Sequence, residues 1–233
     1  MKCNAWTAVL LGAGLVSLPA LCRAEEKPSS LQTALSSTTL SGYVDTSAHW
    51  NPGTGNAYTP IYTPNGVQGS SKADGFNLDV VNLTLNHPVG EGDWGAGYNA
   101  TLLFGPDAAG YNTSFFGTQQ AATSDFGLKD TYVELKAPLG NGLDVKLGTF
   151  TEVLGYEVYE TGNNPNYTRS YGYEIEPTAL TGMLATYQVS SCLTAMFVIS
   201  DTWSAGVNSR AFPPFGNQAE SFKTYMALLS FTA

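Results

Sequence analysis

Between Thr151 and Ala179 the sequence gathers five glutamates (Glu152, Glu157, Glu160, Glu174 and Glu176), one arginine (Arg169) and five tyrosines (Tyr156, Tyr159, Tyr167, Tyr171 and Tyr173). Acids facing a base across a narrow opening set up a transverse field, which sorts solutes by charge and size. Glu152, Glu157, Glu160 and Arg169 are therefore the candidates for a constriction. The plainer reading is a set of solvated loop charges, and the sequence does not choose between the two. Paired carboxylates can also hydrolyse a glycoside, and Glu157 and Glu160 lie among tyrosines suited to stacking on sugar. Nothing fixes their separation, however, so no enzymatic activity is expected. His49 and His87 stand far apart and form neither a triad nor a metal signature. No metal and no cofactor are expected.

Something must hold this segment. It is too polar for a core, and too aromatic for a simple linker or a disordered stretch. Asn164-Pro165-Asn166 sets a turn inside it. One strand is expected to enter it at Leu143–Phe150 and another to leave it at Leu180–Val189. The spacing predicts a loop folded into, or over, the mouth of a barrel.

The flanking sequence alternates with period two, as strands with one apolar and one polar face do. In Leu40–Trp50, Leu40, Val44, Ala48 and Trp50 share one face, opposite Tyr43, Asp45 and His49. Gly75–His87 changes phase midway, which predicts a bulge near Val80-Val81. Trp94–Phe104 is aromatic at both ends of its apolar face. In Phe126–Ala137, Asp130, Tyr132, Glu134 and Lys136 oppose Thr131, Val133 and Leu135. In the next strand Asp144 and Lys146 oppose Leu143, Val145 and Leu147. Leu193–Trp203 and a final strand from Glu220 bring the count to about eight. Tyr43, Asp45, Asp130, Tyr132, Glu134, Asp144 and Lys146 are thus candidates for lining a wet interior; plain cross-strand pairing is the alternative. Trp50, Trp94 and Phe104 are candidates for an aromatic girdle at a membrane interface.

The connections carry the decisive pattern. They are long after the first, third, fifth and seventh strands and short after the second, fourth and sixth. Antiparallel strands place alternate connections at opposite ends, so the long loops share one end. Outer-membrane barrels have this asymmetry, and strands of 9–11 residues suit a tilted crossing of the bilayer. The fold expected is all-β: an antiparallel up-and-down transmembrane β-barrel. A secreted β-sandwich that binds carbohydrate is the main alternative. A closed barrel that does not conduct is the third reading.

Composition narrows the partners. The first residues fit a secretory signal, with Lys2, the apolar run Ala5–Leu21 and cleavage after Ala24. Residues 1–24 are the signal, 25–37 a loose lead and 38–233 the barrel domain. Export would leave Cys192 as the last cysteine, which excludes an internal disulfide. Loss of Lys2 and Arg23 leaves eight basic residues against nineteen acidic, a net charge of −11. That balance argues against nucleic acid and favours cations in any charged pore. The expected partners are outer-membrane lipid, the barrel-insertion machinery, small solutes or ions, and further copies of the chain.

Three stretches carry a family resemblance: SGYVDTSAHWNPGTGN (Ser41–Asn56), LLFGPDA (Leu102–Ala108) and the long segment Leu147–Gln188. The chain resembles the OmpL-like β-barrel porins over most of its mature length, and the central segment is the most specific part. The resemblance implies an outer-membrane location and passive diffusion of small hydrophilic solutes. It implies no particular solute. One departure stands out. Such chains commonly finish on an aromatic residue that the insertion machinery reads, whereas this sequence runs Ser230-Phe231-Thr232-Ala233. A carboxy-terminal truncation is therefore expected, with the eight strands an incomplete part of a larger barrel.

Overall fold

A computed structural model of the protein describes residues 37–50, 75–111, 125–203, 207–208 and 222–232. The expected signal, the lead before Ser37 and most of the long connections at 51–74, 112–124 and 204–221 lie outside the described residues.

Eight strands form one antiparallel sheet in sequence order: β1 (Thr39–His49), β2 (Gly75–His87), β3 (Gly95–Phe104), β4 (Phe126–Ala137), β5 (Leu143–Thr151), β6 (Ala179–Ser190), β7 (Leu193–Ser200) and β8 (Thr224–Phe231). Every described strand pairs with its sequence neighbour, so the up-and-down order read from the sequence is observed. There is one sheet rather than two packed face to face, which overturns the sandwich alternative.

The sheet is not closed: β1 and β8 are its two edges. A ring of eight strands has an interior just wide enough for side chains. This interior also receives a folded loop, and a ring of that size has no room for both.

Register divides the side chains into two faces. The outer face carries Leu40, Val44, Leu83, Leu85, Val133, Leu135, Leu147, Phe197 and Leu229, all exposed. Its aromatic residues gather near the strand ends. Trp50 and Phe76, 84% and 95% exposed, lie with Phe104 at the long-loop end, where Phe104 packs on Phe126 at 5.4 Å. Trp94 and Phe231 lie at the other end.

Two irregularities redirect side chains inward. Asp45 pairs with Val80 and Thr46 with Leu78, so Asp79 is the extra residue on β2. The bulge therefore sits just before the expected Val80-Val81 position, and it turns both Asp79 and Val80 into buried positions. On β4, Ala100 pairs with Thr131 and Leu102 with Leu128, so Lys129 and Asp130 together oppose Thr101. An extra residue on one strand bends it and lets neighbouring side chains share a face.

The turn after β4 is tight. Positive φ falls on Gly140 (59°) and Gly142 (106°), not on Asn141, and the Gly142 amide donates to the Leu139 carbonyl at 3.0 Å. Cys192 lies exposed in the turn between β6 and β7.

Candidate functional site

The segment between β5 and β6 folds onto the inner face of the sheet. Its root is fixed first. The Asp130 carboxylate on β4 accepts from the Thr151 amide at 2.6 Å and from the Thr151 hydroxyl at 2.9 Å, which ends β5 at that point. Gly148 reaches φ 140°, and a Cβ there would lie 2.3 Å from the Thr131 carbonyl oxygen. Only glycine allows that approach. Beneath the root, Phe150, Leu180, Leu184 and Val198 form an apolar cluster, with Val153 of the loop and Met196 and Met226 packed against it.

Arg169 holds the body of the loop together. The residue is 3% exposed. Its Nε donates to the Val158 carbonyl at 3.1 Å, Nη1 to Tyr167 at 2.9 Å and Nη2 to Tyr159 at 2.9 Å. A planar guanidinium with five donors can gather several carbonyls at once, which a lysine cannot do. Asn164 adds a second clasp, accepting from the Val158 amide at 2.9 Å and donating to the Val158 and Glu160 carbonyls. Ser170 caps the short helix Tyr171–Ile175, and its own amide donates to the Glu157 carboxylate at 2.9 Å. These bonds from Ser170 hold the Glu157 carboxyl below its ordinary range.

Burial acts the other way on the remaining loop groups. It pushes the Glu152 carboxyl up to about 7, with repulsion from Glu176 adding and a hydrogen bond from the Leu154 amide opposing. It also raises Glu174. The Tyr159 phenol is driven well above its usual value, by burial first and by the nearby Asp107 next. Tyr159 stands edge-on to Tyr111 at 5.2 Å, where the 3-10 turn Pro106–Tyr111 enters the interior. Together with Val80, Leu103, Ala108 and Ala179 these two rings make a second buried cluster.

Two contacts join the loop to the far wall. Lys129, inward because of the β4 bulge and only 5% exposed, forms an ion pair with Glu160 and lies 3.4 Å from Asp130. Its ammonium also faces the Tyr159 ring at 5.4 Å. Nearer the loop tip, the Tyr167 hydroxyl meets His49 Nε2 at 3.0 Å, with the rings edge to face at 5.0 Å. The loop thus crosses from β5 and β6 to β1.

Between the loop and β1–β4 lies open space. A cavity of about 410 Å³ is lined by Tyr43, Asn82, Thr84, Asn99, Thr101 and Tyr132, with Lys129, Asp130 and Glu160 at its rim. A second, of about 360 Å³, continues past Tyr43 and Glu160 to Asp45 and Asn163. Thr84 and Thr101 are 3.1 Å apart, and Asn99 donates to Thr101 at 3.0 Å and to the Asp130 carbonyl at 2.6 Å.

An open sheet with an exposed apolar outer face and a hydrogen-bonded polar inner face agrees with the family comparison. The family described as "Putative beta-barrel porin-2, OmpL-like" matches residues 37–231, nearly all of the sheet domain. The chain belongs to this porin family. No curated protein and no solved structure matches the chain. Membership implies an outer-membrane location and suggests a channel.

The porin's structure brings only some of the expected site residues together. Tyr43, Asp45, Asp130, Tyr132 and Glu160 meet around the two cavities. Glu134 and Lys146 are register partners lower on β4 and β5, beside Lys136 and Asp144. Lys146 lies 4.6 Å from the Tyr132 ring centre. Glu157 faces a different cavity with Tyr156, Ser170 and Tyr173. Glu152 sits at the loop root, and Arg169 lies inside the loop. Sequence reasoning missed Lys129 and the Asn82, Thr84, Asn99 and Thr101 cluster. No group of ligands suited to a metal occurs among the described residues.

Proposed function

We propose that this porin lets small hydrophilic solutes diffuse through a passage between the loop at 152–178 and the inner wall of β1–β4. The observation that carries this reading is the pair of adjoining cavities there, both bounded by Tyr43 and Glu160. The opposite side is filled by the apolar cluster beneath the loop. On this reading the exposed outer leucines and valines meet lipid, and the aromatic residues at the strand ends mark the two interfaces.

The surplus of nineteen acidic over ten basic residues supports a preference for cations. Asp45 is the acid on this passage placed to express it, since Glu160 is paired with Lys129 and Glu157 faces the other cavity. Glu152 contributes little below neutrality, because its carboxyl holds a proton up to about pH 7. Arg169 is assigned to holding the loop rather than to facing solute. Cleavage after Ala24 and assisted insertion complete the proposed route to the membrane; intact-mass measurement of the mature protein should find Glu25 first.

Planar-bilayer recording of the purified full chain tests the passage. Stepwise current with a cation preference is expected, and Asp45→Lys should lower that preference. No current at any protein concentration would instead leave a non-conducting barrel. Unchanged ion selectivity in Asp45→Lys would remove this residue from the passage.

A further inference from the structure

The polar side chains of the larger cavity form a continuous row across four strands. Tyr43 on β1 pairs in register with Asn82 on β2. Two residues on, the Thr84 hydroxyl donates to the Asn82 side-chain Oδ1 at 3.1 Å and meets Thr101 of β3 at 3.1 Å. Asn99 donates to Thr101 at 3.0 Å and pairs in register with Tyr132 of β4. The row therefore has an aromatic ring at each end and amides and hydroxyls between them. With strands about 4.8 Å apart, the three steps from β1 to β4 span roughly 14 Å.

The charges at this cavity are already engaged. Lys129 is paired with Glu160 and lies 3.4 Å from Asp130. Asp130 also accepts two hydrogen bonds from Thr151. An arriving ion would have to compete with these short internal contacts. A neutral solute would not.

We infer that this row is a binding subsite for a neutral, hydroxyl-rich solute of the oligosaccharide class. A side-chain amide and a hydroxyl each offer both a donor and an acceptor, as a sugar hydroxyl does. A tyrosine ring supplies an apolar face beside a polar tip, which suits the alternating C–H and O–H surface of a pyranose. The cavity, at about 410 Å³, falls in the roughly 300–1,000 Å³ range of small-molecule sites. The inference deepens the proposed function and rests on the passage lying along β1–β4.

Calorimetry on the full chain in detergent, with a panel of maltotriose, cellotriose and raffinose, tests the subsite without requiring conduction. At least one sugar should bind saturably, and tetramethylammonium chloride should not displace it. Tyr43→Leu and Thr84→Val should each weaken binding fivefold or more; both remove a group without adding bulk, and heat-modified gel mobility reports whether each variant folds. No saturable heat with any of the three sugars, or equal affinity in both folded variants, overturns the subsite. The same sugars are then added to bilayer recordings. Binding without current keeps the subsite and removes the passage. Current that no sugar reduces, with no heat in detergent, keeps the passage and removes the subsite.

Discussion

The inner wall changes character half-way across the sheet. On β1–β4 it presents Asn82, Thr84, Asn99 and Thr101, hydrogen-bonded to one another beside open space. On β5–β8 it presents Phe150, Leu180, Leu184 and Val198, sealed under the root of the loop. The same loop meets both halves, but by different physics. On one side it is held by burial of apolar surface, which is insensitive to direction and to salt. On the other, beyond the packing of Tyr159 with Val80 and Leu103, it is held by a few directional contacts, chiefly Lys129 with Glu160 and His49 with Tyr167. The seated side should therefore set whether the loop folds at all, and the latched side should set how far it stands from the wall.

The largest effect is expected on the seated side. Phe150→Ala removes a ring that is 2% exposed, and such truncations cost about 3–5 kcal/mol. The melting transition of the whole sheet domain should drop, and the loop should loosen with it. An unchanged transition would mean that the apolar cluster does not carry the fold.

A smaller and more local effect is expected on the latched side. Removing one member of a buried ion pair costs about 3–5 kcal/mol because its partner's charge is left behind. Glu160 is about a quarter exposed, so Lys129→Met should fall at or below the bottom of that range. The sheet should melt nearly as before while the loop swings out. Trypsin reports this directly, since Arg169 is buried against loop carbonyls and should resist cleavage until the loop opens. Lys129→Met should be cut after Arg169 many times faster than the parent protein. Adding Glu160→Gln should restore much of the protection, because the loop then carries no stranded charge and Asp130 keeps its two hydrogen bonds from Thr151. Equal cleavage rates in all three proteins would show that the ion pair latches nothing.

The contrast also marks where sequence reading reaches its limit. Strand order, outer face and loop placement were legible, because period-two alternation and loop length are local properties. Lys129 was not. Strict alternation puts it with Thr131 and Val133 on the outer face, and it turns inward only because the β4 register slips by one residue opposite Thr101. On β2 a bulge was expected, and it buries Val80 beside Asp79. A bulge answers to the partner strand as much as to its own sequence. The seated side was hidden for another reason: β6 and β7 are apolar on both faces around Leu180, Leu184, Val198 and Phe197, so alternation cannot say which face is inside. For Arg169, the sequence indicated the charge but not the Val158, Tyr159 and Tyr167 carbonyls that surround it.

The smallest expected effect separates the two sides by pH. Glu152 stands at the root of the loop, where burial raises its carboxyl to about 7 from an ordinary 4.5. Between those values the seated loop keeps a proton that a released loop gives up. The contribution to seating is therefore complete below about pH 4.5 and is lost as pH rises through about 7. Glu157 works in the opposite sense. Its lowered carboxyl favours the folded loop above the ordinary carboxylate range, and that support fades only on acidification. Raising the pH from 6 to 8 thus isolates the root. A dye on an introduced cysteine at the exposed Asn163, in a Cys192→Ser background, should report a step in loop mobility centred near pH 7. Glu152→Gln should flatten that step while leaving any change at acid pH in place. A step of the same size in Glu152→Gln would move the titration to another group, with Glu174, also raised by burial, as the next residue to replace.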